Sequence, residues 1–251
     1  MEKPIFKTPS VKLTLFWGSE ELIASYSDVL YKGYESDDAM KRVNSEQGIL
    51  KRRILKFLND GHHSVFEFMG AQWLIEGSRA FTHEIIRHRV ASYWQESQRY
   101  VDYSKQNLRY CVPANFKADE LFNSLSSAYL NMRASEVSPE NARYLLPNAS
   151  CSRLWVQMNA REFFLNFLPL RTGNGAFHEI RLIAWLMFDL IIKQFPITSE
   201  WVWQNLPKLH PDYCRGIKDN TDCRIKSIDD AFKIWGMKIP NNLSILMNTK
   251  L

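Results

Sequence analysis

The chain has 251 residues, of which 45% are hydrophobic and 13% aromatic, enough to bury a full core as one domain, or one domain with an appendage, and too much for intrinsic disorder. A formal charge of +5 favours anionic partners, but spread over this length it makes no polyanion-binding stripe, and small phosphorylated ligands fit it as well as nucleic acid. Four scattered cysteines without a Cys-x-x-Cys pair, no long apolar run and no secretion signal after Met1-Glu2-Lys3-Pro4 predict neither a disulfide framework nor a metal centre nor a membrane span, and a soluble, unprocessed, cytoplasmic protein is the expectation.

In chain order, Val11 to Trp17 alternates as a strand, and Ser19 then caps a helix with Leu22, Tyr26, Val29 and Leu30 on one face. A second helix carries Leu50, Ile54, Phe57 and Leu58 as its buried stripe, with Asn44 or Ser45 as cap and Gly61 as its end, so that His62 sits just beyond a helix terminus. Residues 65 to 76 read as a long strand, and Ser78 caps a helix reaching about His88. Glu84, Arg87 and His88 are three and four positions apart and share a face of it. The following loop carries Ser97 and Arg99.

The second half reads as mainly helical. Leu121, Leu125, Ala128 and Met132 repeat at helical spacing, and Ser138-Pro139-Glu140 is a start signal for a short helix bearing Arg143. Asn159 to Leu170 reads as helix, with Asn159 and Asn166 on one face. Residues 176 to 195 are apolar on nearly every side and predict a helix buried in the core or a subunit contact, ended by Pro196. Lys208 to Lys226 reads as a connecting loop before a short helix near Ile228 to Trp235. The expected fold is α+β: a central, mostly antiparallel sheet flanked by helices, in a single domain with a helical second half.

The densest chemistry lies between residues 87 and 100, where Arg87, His88, Arg89, Ser97 and Arg99 gather in one short stretch. Guanidinium forks match phosphate oxygens and a serine hydroxyl allows close approach, so the stretch reads as a nucleotide site; a solvated basic turn is the bland alternative. His62 reads equally as an exposed residue near a helix end, and His88 as a partner of Glu84. Asn159 and Asn166 read either as amides for a planar heterocycle or as local caps. His210, Cys214 and Cys223 do not have zinc-ligand spacing. Trp94, Trp185, Trp201, Trp203 and Trp235 are expected in core or contacts rather than as a stacking platform.

The spacing Arg87-His88-Arg89-x7-Ser97-x-Arg99-Tyr100 resembles the signature of the flavin-dependent thymidylate synthases. Gly61-His62-His63-Ser64-Val65-Phe66-Glu67 is similar to that family's Gly-His-x-Ser/Thr-x-x-Glu segment, and Arg143 to Pro147 to its Arg-x-x-Leu-Pro element. Asn159-Ala160-Arg161 and Asn166 to Arg171 resemble its Asn-Ala-Arg and Asn-Phe-Leu-x-Leu-Arg helix. The resemblance covers roughly residues 10 to 195; the implied organisation is a catalytic domain over 1–204 and a C-terminal extension of unassigned role over 205–251.

The resemblance implies reductive methylation of dUMP to dTMP, with FAD as cofactor, NADPH as reductant and methylenetetrahydrofolate as carbon donor. It implies a homotetramer with sites between subunits. By position, Ser64, Arg87, His88, Arg89, Gln95, Asn159, Arg161 and Asn166 would hold the flavin. Glu84, Arg87, Gln95, Ser97, Arg99, Arg143 and Arg171 would hold dUMP, with Arg171 as the activating guanidinium and His62 also in the site. Neither Cys111-Val112-Pro113 nor Ala149-Ser150-Cys151-Ser152 resembles the nucleophile motif of the cysteine-dependent synthases.

Some positions depart from the family pattern. Trp94-Gln95 stands for a common Asn-Glu, replacing a carboxylate by an amide unless Glu96 takes its place; Gly175 to Glu179 stands for His-Ala-Gln-Trp-Glu, removing an imidazole; Phe68 replaces a commoner histidine. The segment Asn159 to Arg171 is one residue longer than usual, which predicts a local helical bulge. Two other activities are compatible with the residues alone: a flavoenzyme modifying C5 of another uridine nucleotide, and a non-catalytic basic module that binds nucleic acid.

Overall fold

Alternation of period two builds the centre of the molecule. In the computed structural model, which describes residues 4–218 and 221–248, strand β6 (Cys151–Asn159) turns Leu154, Val156 and Met158 inward and Arg153, Trp155 and Gln157 outward. It pairs antiparallel along its length with β3 (Gly70–Ser78), from Gly70 opposite Asn159 to Ser78 opposite Cys151. With β2 (Ser10–Trp17) and β4 (Ala91–Gln95) at the edges, the sheet has the order β2-β3-β6-β4, antiparallel throughout. A parallel pair, β1 (Ile5–Lys7) with β5 (Arg109–Cys111), lies apart from it. The α+β expectation holds; β4 lies in the stretch expected as a loop after His88, and β6 in the half expected to be mainly helical.

Helix α9 (His178–Ile191) packs beneath the sheet. Its apolar residues are buried except Leu186 and Leu190, which are half-buried, and its polar ones serve neighbours: Glu179 accepts from Ser78 N and Oγ, and Asp189 from Leu243 N. Around it stand α10 (Pro196–Leu209), α11 (Cys223–Ile234) and α12 (Asn241–Asn248), whose Leu206, Phe232 and Leu243 join the same core. Helix α10 runs through residue 204, and Pro196 opens this helix as well as closing off the one before it. Cys214 and Cys223 are disulfide-bonded, correcting the expectation drawn from their spacing. A smaller core of Tyr103, Leu108, Tyr110, Phe122 and Tyr129 sits under α5 (Asp119–Ala134) and α6 (Pro139–Ala142). The two regions touch at Cys111 and Cys151, whose Sγ atoms are 2.6 Å apart.

Several boundaries move. Helix α1 (Glu20–Lys32) starts at the Ser19 cap as expected, yet it buries Ile23, Ala24 and Asp28, while Leu30 is 73% exposed. An unforeseen α2 (Ser36–Ser45) contains Asn44 and Ser45 in its last turn, and α3 (Ile49–Asn59) instead begins at Gly48. Gly61, at φ +78°, turns the chain out of α3 in the left-handed region that glycine tolerates. Residues expected as one strand over 65–76 divide into a 3-10 turn, His63–Phe68, and β3. Helix α4 (Arg79–Ile85), capped by Ser78, ends before Arg87 and His88. Trp185, Trp203 and Trp235 are buried as expected, whereas Trp94 is 79% exposed on the outer face of the sheet.

Candidate active site

Arg171 lies on α8 (Leu168–Thr172), the end of a composite helix that begins with α7 (Ala160–Glu162) and passes through a π-helical turn at Phe163–Phe167. The π turn is the bulge expected from the extra residue. Asn159 caps the start, its Oδ1 accepting from Glu162 N at 2.8 Å. From α8, Arg171 Nε donates to His88 Nε2 at 2.9 Å, Nη1 to Glu84 Oε2 at 2.8 Å and Nη2 to the Glu84 carbonyl at 2.9 Å.

These contacts fix His88. Because Nε2 accepts from a permanently charged guanidinium, the ring proton sits on Nδ1, which donates to Glu162 Oε1 at 2.9 Å. The ring is buried and meets Phe167 edge-on at 5.0 Å. Burial pushes the Glu162 carboxyl up, but hydrogen bonds from His88 and then Asn166, whose Nδ2 lies 2.9 Å from both oxygens, outweigh it and hold the group below the usual value. Tyr93 Oη lies 2.8 Å from the carbonyls of Ile85 and His88, tying the end of α4 to β4. The result is a continuous chain, Asn166–Glu162–His88–Arg171–Glu84.

Two adjoining clefts of about 500 and 490 Å³ open onto this chain and share Val90, Glu162 and Asn166. Arg87 and Arg89 line the first, exposed and without an ion pair among the described residues; Arg161 lines the second and pairs with Glu67 at 2.5 Å. Uncommitted guanidinium groups beside a fixed neutral imidazole suit a ligand with phosphates and a planar, polar ring.

The sequence profile of the family described as thymidylate synthase complementing protein matches residues 12–197. The chain belongs to that family. A flavin-dependent thymidylate synthase of Pyrobaculum aerophilum is 46% identical over 90% of this chain and 91% of its own, and one of Pyrococcus abyssi is 33% identical over 68% and 73%. Solved structures of a UMP/dUMP methylase of Streptomyces cacaoi share the fold at TM-score 0.66. The form bound with 5-Br dUMP is 21% identical, covering 80% of this chain and 96% of that one.

The other residues expected in the site, Gln95, Ser97, Arg99, Arg143, His62 and Ser64, line neither of these two clefts. Gln95 donates to Ser152 Oγ at 3.0 Å, Ser97 Oγ accepts from Arg99 N, and Arg99 pairs with Glu140 at 3.1 Å and lies over the Tyr100 ring. Arg143 is near Arg79, whose guanidinium is pushed below its ordinary value, first by burial and then by that like charge. Glu96 does not replace the missing carboxylate: it accepts from Tyr103 Oη at 2.7 Å and from Arg109 at 3.3 Å. His62 and Ser64 face a third groove on the far side of the 3-10 turn. Within one chain, the expected residues therefore form separate groups.

His88 pairs with Glu162 and Arg171 rather than with Glu84, and both asparagine amides serve Glu162. Glu162 is the member that sequence reasoning missed. Its signal was present, since it follows Asn159-Ala160-Arg161 directly and precedes Asn166 by one helical turn.

Proposed function

We propose that this protein is a flavin-dependent thymidylate synthase, converting dUMP to dTMP with methylenetetrahydrofolate as carbon donor and NADPH as reductant. The observation that carries this reading is the state of Arg171. A guanidinium has five N–H donors; three are engaged by His88 and Glu84, leaving two for a ligand in the cleft. Directed at the polar edge of a uracil ring, they stabilise negative charge there without giving up a proton, which makes C5 nucleophilic. His88 and Glu84 keep the guanidinium from turning away, so the donors are placed before the ring arrives.

The donor set suits FAD. Arg87, Arg89 and Arg161 offer charge to a pyrophosphate at the two joined clefts, with His88, Asn159 and Asn166 along their common wall and Ser64 and Gln95 assigned to the same ligand. When bound, FAD supplies the reducing equivalents. The phosphate and sugar of dUMP fall to Arg87, Gln95, Ser97, Arg99 and Arg143, the base to Glu84 and Arg171, and His62, which lines the third groove, is assigned to the site by its place in the family segment. No thiolate is required. The Cys111 thiol is pushed up by its contact with Cys151 and by burial, and stays protonated.

Because these groups are separated within one chain, we infer that a second copy brings them together, in a homotetramer with sites between subunits. The outer sheet face, with exposed Trp94 and Trp155, offers apolar area for such a contact. No helix among the described residues is long and apolar enough to cross a membrane, and we place the enzyme in the cytoplasm. The test is direct. The purified protein should be yellow, oxidise NADPH, and form dTMP from dUMP only with the folate donor present; failure to form dTMP under those conditions refutes the activity. Equal conversion of UMP in competition with dUMP refutes the assigned substrate.

A further inference from the structure

We infer that the groove between α1 and α3 receives the anionic tail of a co-substrate that meets the flavin, the shared chemistry being an aromatic body carrying clustered negative charge. The inference rests on the proposed function, which assigns Ser64 to the flavin. The groove encloses about 500 Å³, enough for a substantial part of a nucleotide-sized ligand. Its floor reaches His62 and Ser64, while His63 and Glu67 on the same 3-10 turn line one of the clefts beside Arg171. One turn of backbone thus separates this groove from that cleft.

The groove carries more positive charge than its own carboxylates neutralise. Lys32, Arg42, Arg52, Arg53 and Lys56 line it. Three of them converge on the single buried carboxylate of Asp28, Arg53 at 2.7 Å, Lys32 at 2.9 Å and Arg42 at 3.4 Å. Arg42 also pairs with Glu46 and Lys56 with Asp60. Arg52 is exposed on α3 and makes no ion pair among the described residues. Against five cations the groove therefore sets three carboxylates, and one guanidinium stands ready for an incoming anion.

Much of the remaining lining is apolar. Tyr26, Phe57 and Val65 are half-buried along it, and Leu30 and Tyr31 rim it at 73% and 83% exposure. An exposed leucine and tyrosine beside surplus guanidinium groups supply a flat apolar surface for a ring and charge for its tail. Two co-substrates have this chemistry, the folate through its glutamate carboxylates and NADPH through its adenosine phosphates. Both must reach the flavin, and the groove opens beside the residue assigned to it.

The test uses the full-length, flavin-loaded protein and Arg52→Ala. Flavin reduction by NADPH or NADH, followed anaerobically by absorbance, and fluorescence titration with tetrahydrofolate bearing one or three glutamates both read binding without requiring dTMP formation. The expected result is about tenfold weaker binding of one of these ligands, restored in large part by Arg52→Lys, with flavin content and dUMP affinity at wild-type values. A loss confined to NADPH over NADH assigns the groove to the nucleotide phosphate; a loss growing with glutamate number assigns it to the folate tail. Unchanged affinity for all four ligands, or loss of flavin in Arg52→Ala, overturns the inference. Failure of the wild-type protein to form dTMP while these affinities behave as expected refutes the activity and leaves the groove standing.

Discussion

Replacing Arg171 by lysine separates charge from geometry. Arginine at this position is 12% exposed and holds His88 through Nε and Glu84 through both terminal nitrogens. Lysine keeps the charge but offers a single nitrogen, so it cannot donate to His88 Nε2, to Glu84 Oε2 and to the Glu84 carbonyl while also presenting two further N–H groups to a ring. Loss of one preorganised donor at a developing anion costs about 100- to 1,000-fold in turnover. Arg171→Lys should therefore lower kcat for dTMP formation by about that factor. Arg171 touches only one of the side chains assigned to the flavin, His88, which Glu162 also holds through Nδ1, so the absorbance of bound flavin per chain should stay within about twofold of wild type. The measurements are steady-state dTMP formation and the visible spectrum of the purified variant. Parallel loss of flavin and activity would show that Arg171 supports the cofactor site instead, and a kcat within about threefold of wild type would remove it from the chemistry.

Glu162→Gln keeps the shape but removes an acceptor from a carboxylate that serves His88 Nδ1 and Asn166; it should lower unfolding stability by about 1–3 kcal/mol in a urea titration, and a wild-type midpoint would contradict the network. Glu179 has its carboxyl pushed up to about 7, chiefly by burial and against the bonds from Ser78. A group raised in the folded state gives its stabilisation in full below the unfolded value, 4.5, and loses it as pH rises through about 7. The transition temperature of wild type should thus fall between pH 5 and pH 8 by more than that of Glu179→Gln, and identical pH profiles would refute the assignment. Cys214→Ser opens a loop with a separation of 9 residues, for which chain entropy gives roughly 2.5 kcal/mol of lost stability; the check is a urea titration of the variant against unreduced wild type.

What could be read in advance depended on whether a local pattern had one structural solution. Ser19, Ser78 and Gly61 announced helix ends correctly because a cap or a left-handed residue is a local requirement. Strand β6 also carries a signal, Leu154-Val156-Met158 against Arg153-Trp155-Gln157, but the alternation is short and runs directly into the helical pattern that begins at Asn159. Helix α2 gave almost none, since Ala39 and Val43 are its whole buried stripe. The apolar stretch 65 to 76 is compatible with strand or compact turn, and only the close approach of Gly70 to Met158 and Trp17 shows where the strand begins. In the site, Arg171, His88 and Glu84 were named as separate candidates, yet the hydrogen bonds that join them cross 83 and 87 positions of sequence and no local period encodes them.

The π turn links that long-range geometry back to the sequence. Each residue in an α-helix advances the chain by about 100°, so one extra residue between Asn159 and Arg171 in an unbroken α-helix would rotate Arg171 by that angle away from His88. A turn closed five residues apart instead of four absorbs the extra residue locally. The cost falls where it is best covered: Phe163, Phe164 and Phe167 in the widened turn are all buried, with Phe163 packed against Trp73 and Phe167 against the His88 ring. Asn159 then still caps the first turn, and Arg171 still meets His88 and Glu84 on the last. The insertion is therefore compatible with a working guanidinium because the helix changes pitch over a single aromatic-packed turn, and restoring α geometry there without deleting a residue would break the Arg171–His88 bond together with the contacts that Thr172 makes to Tyr213 and Ser227.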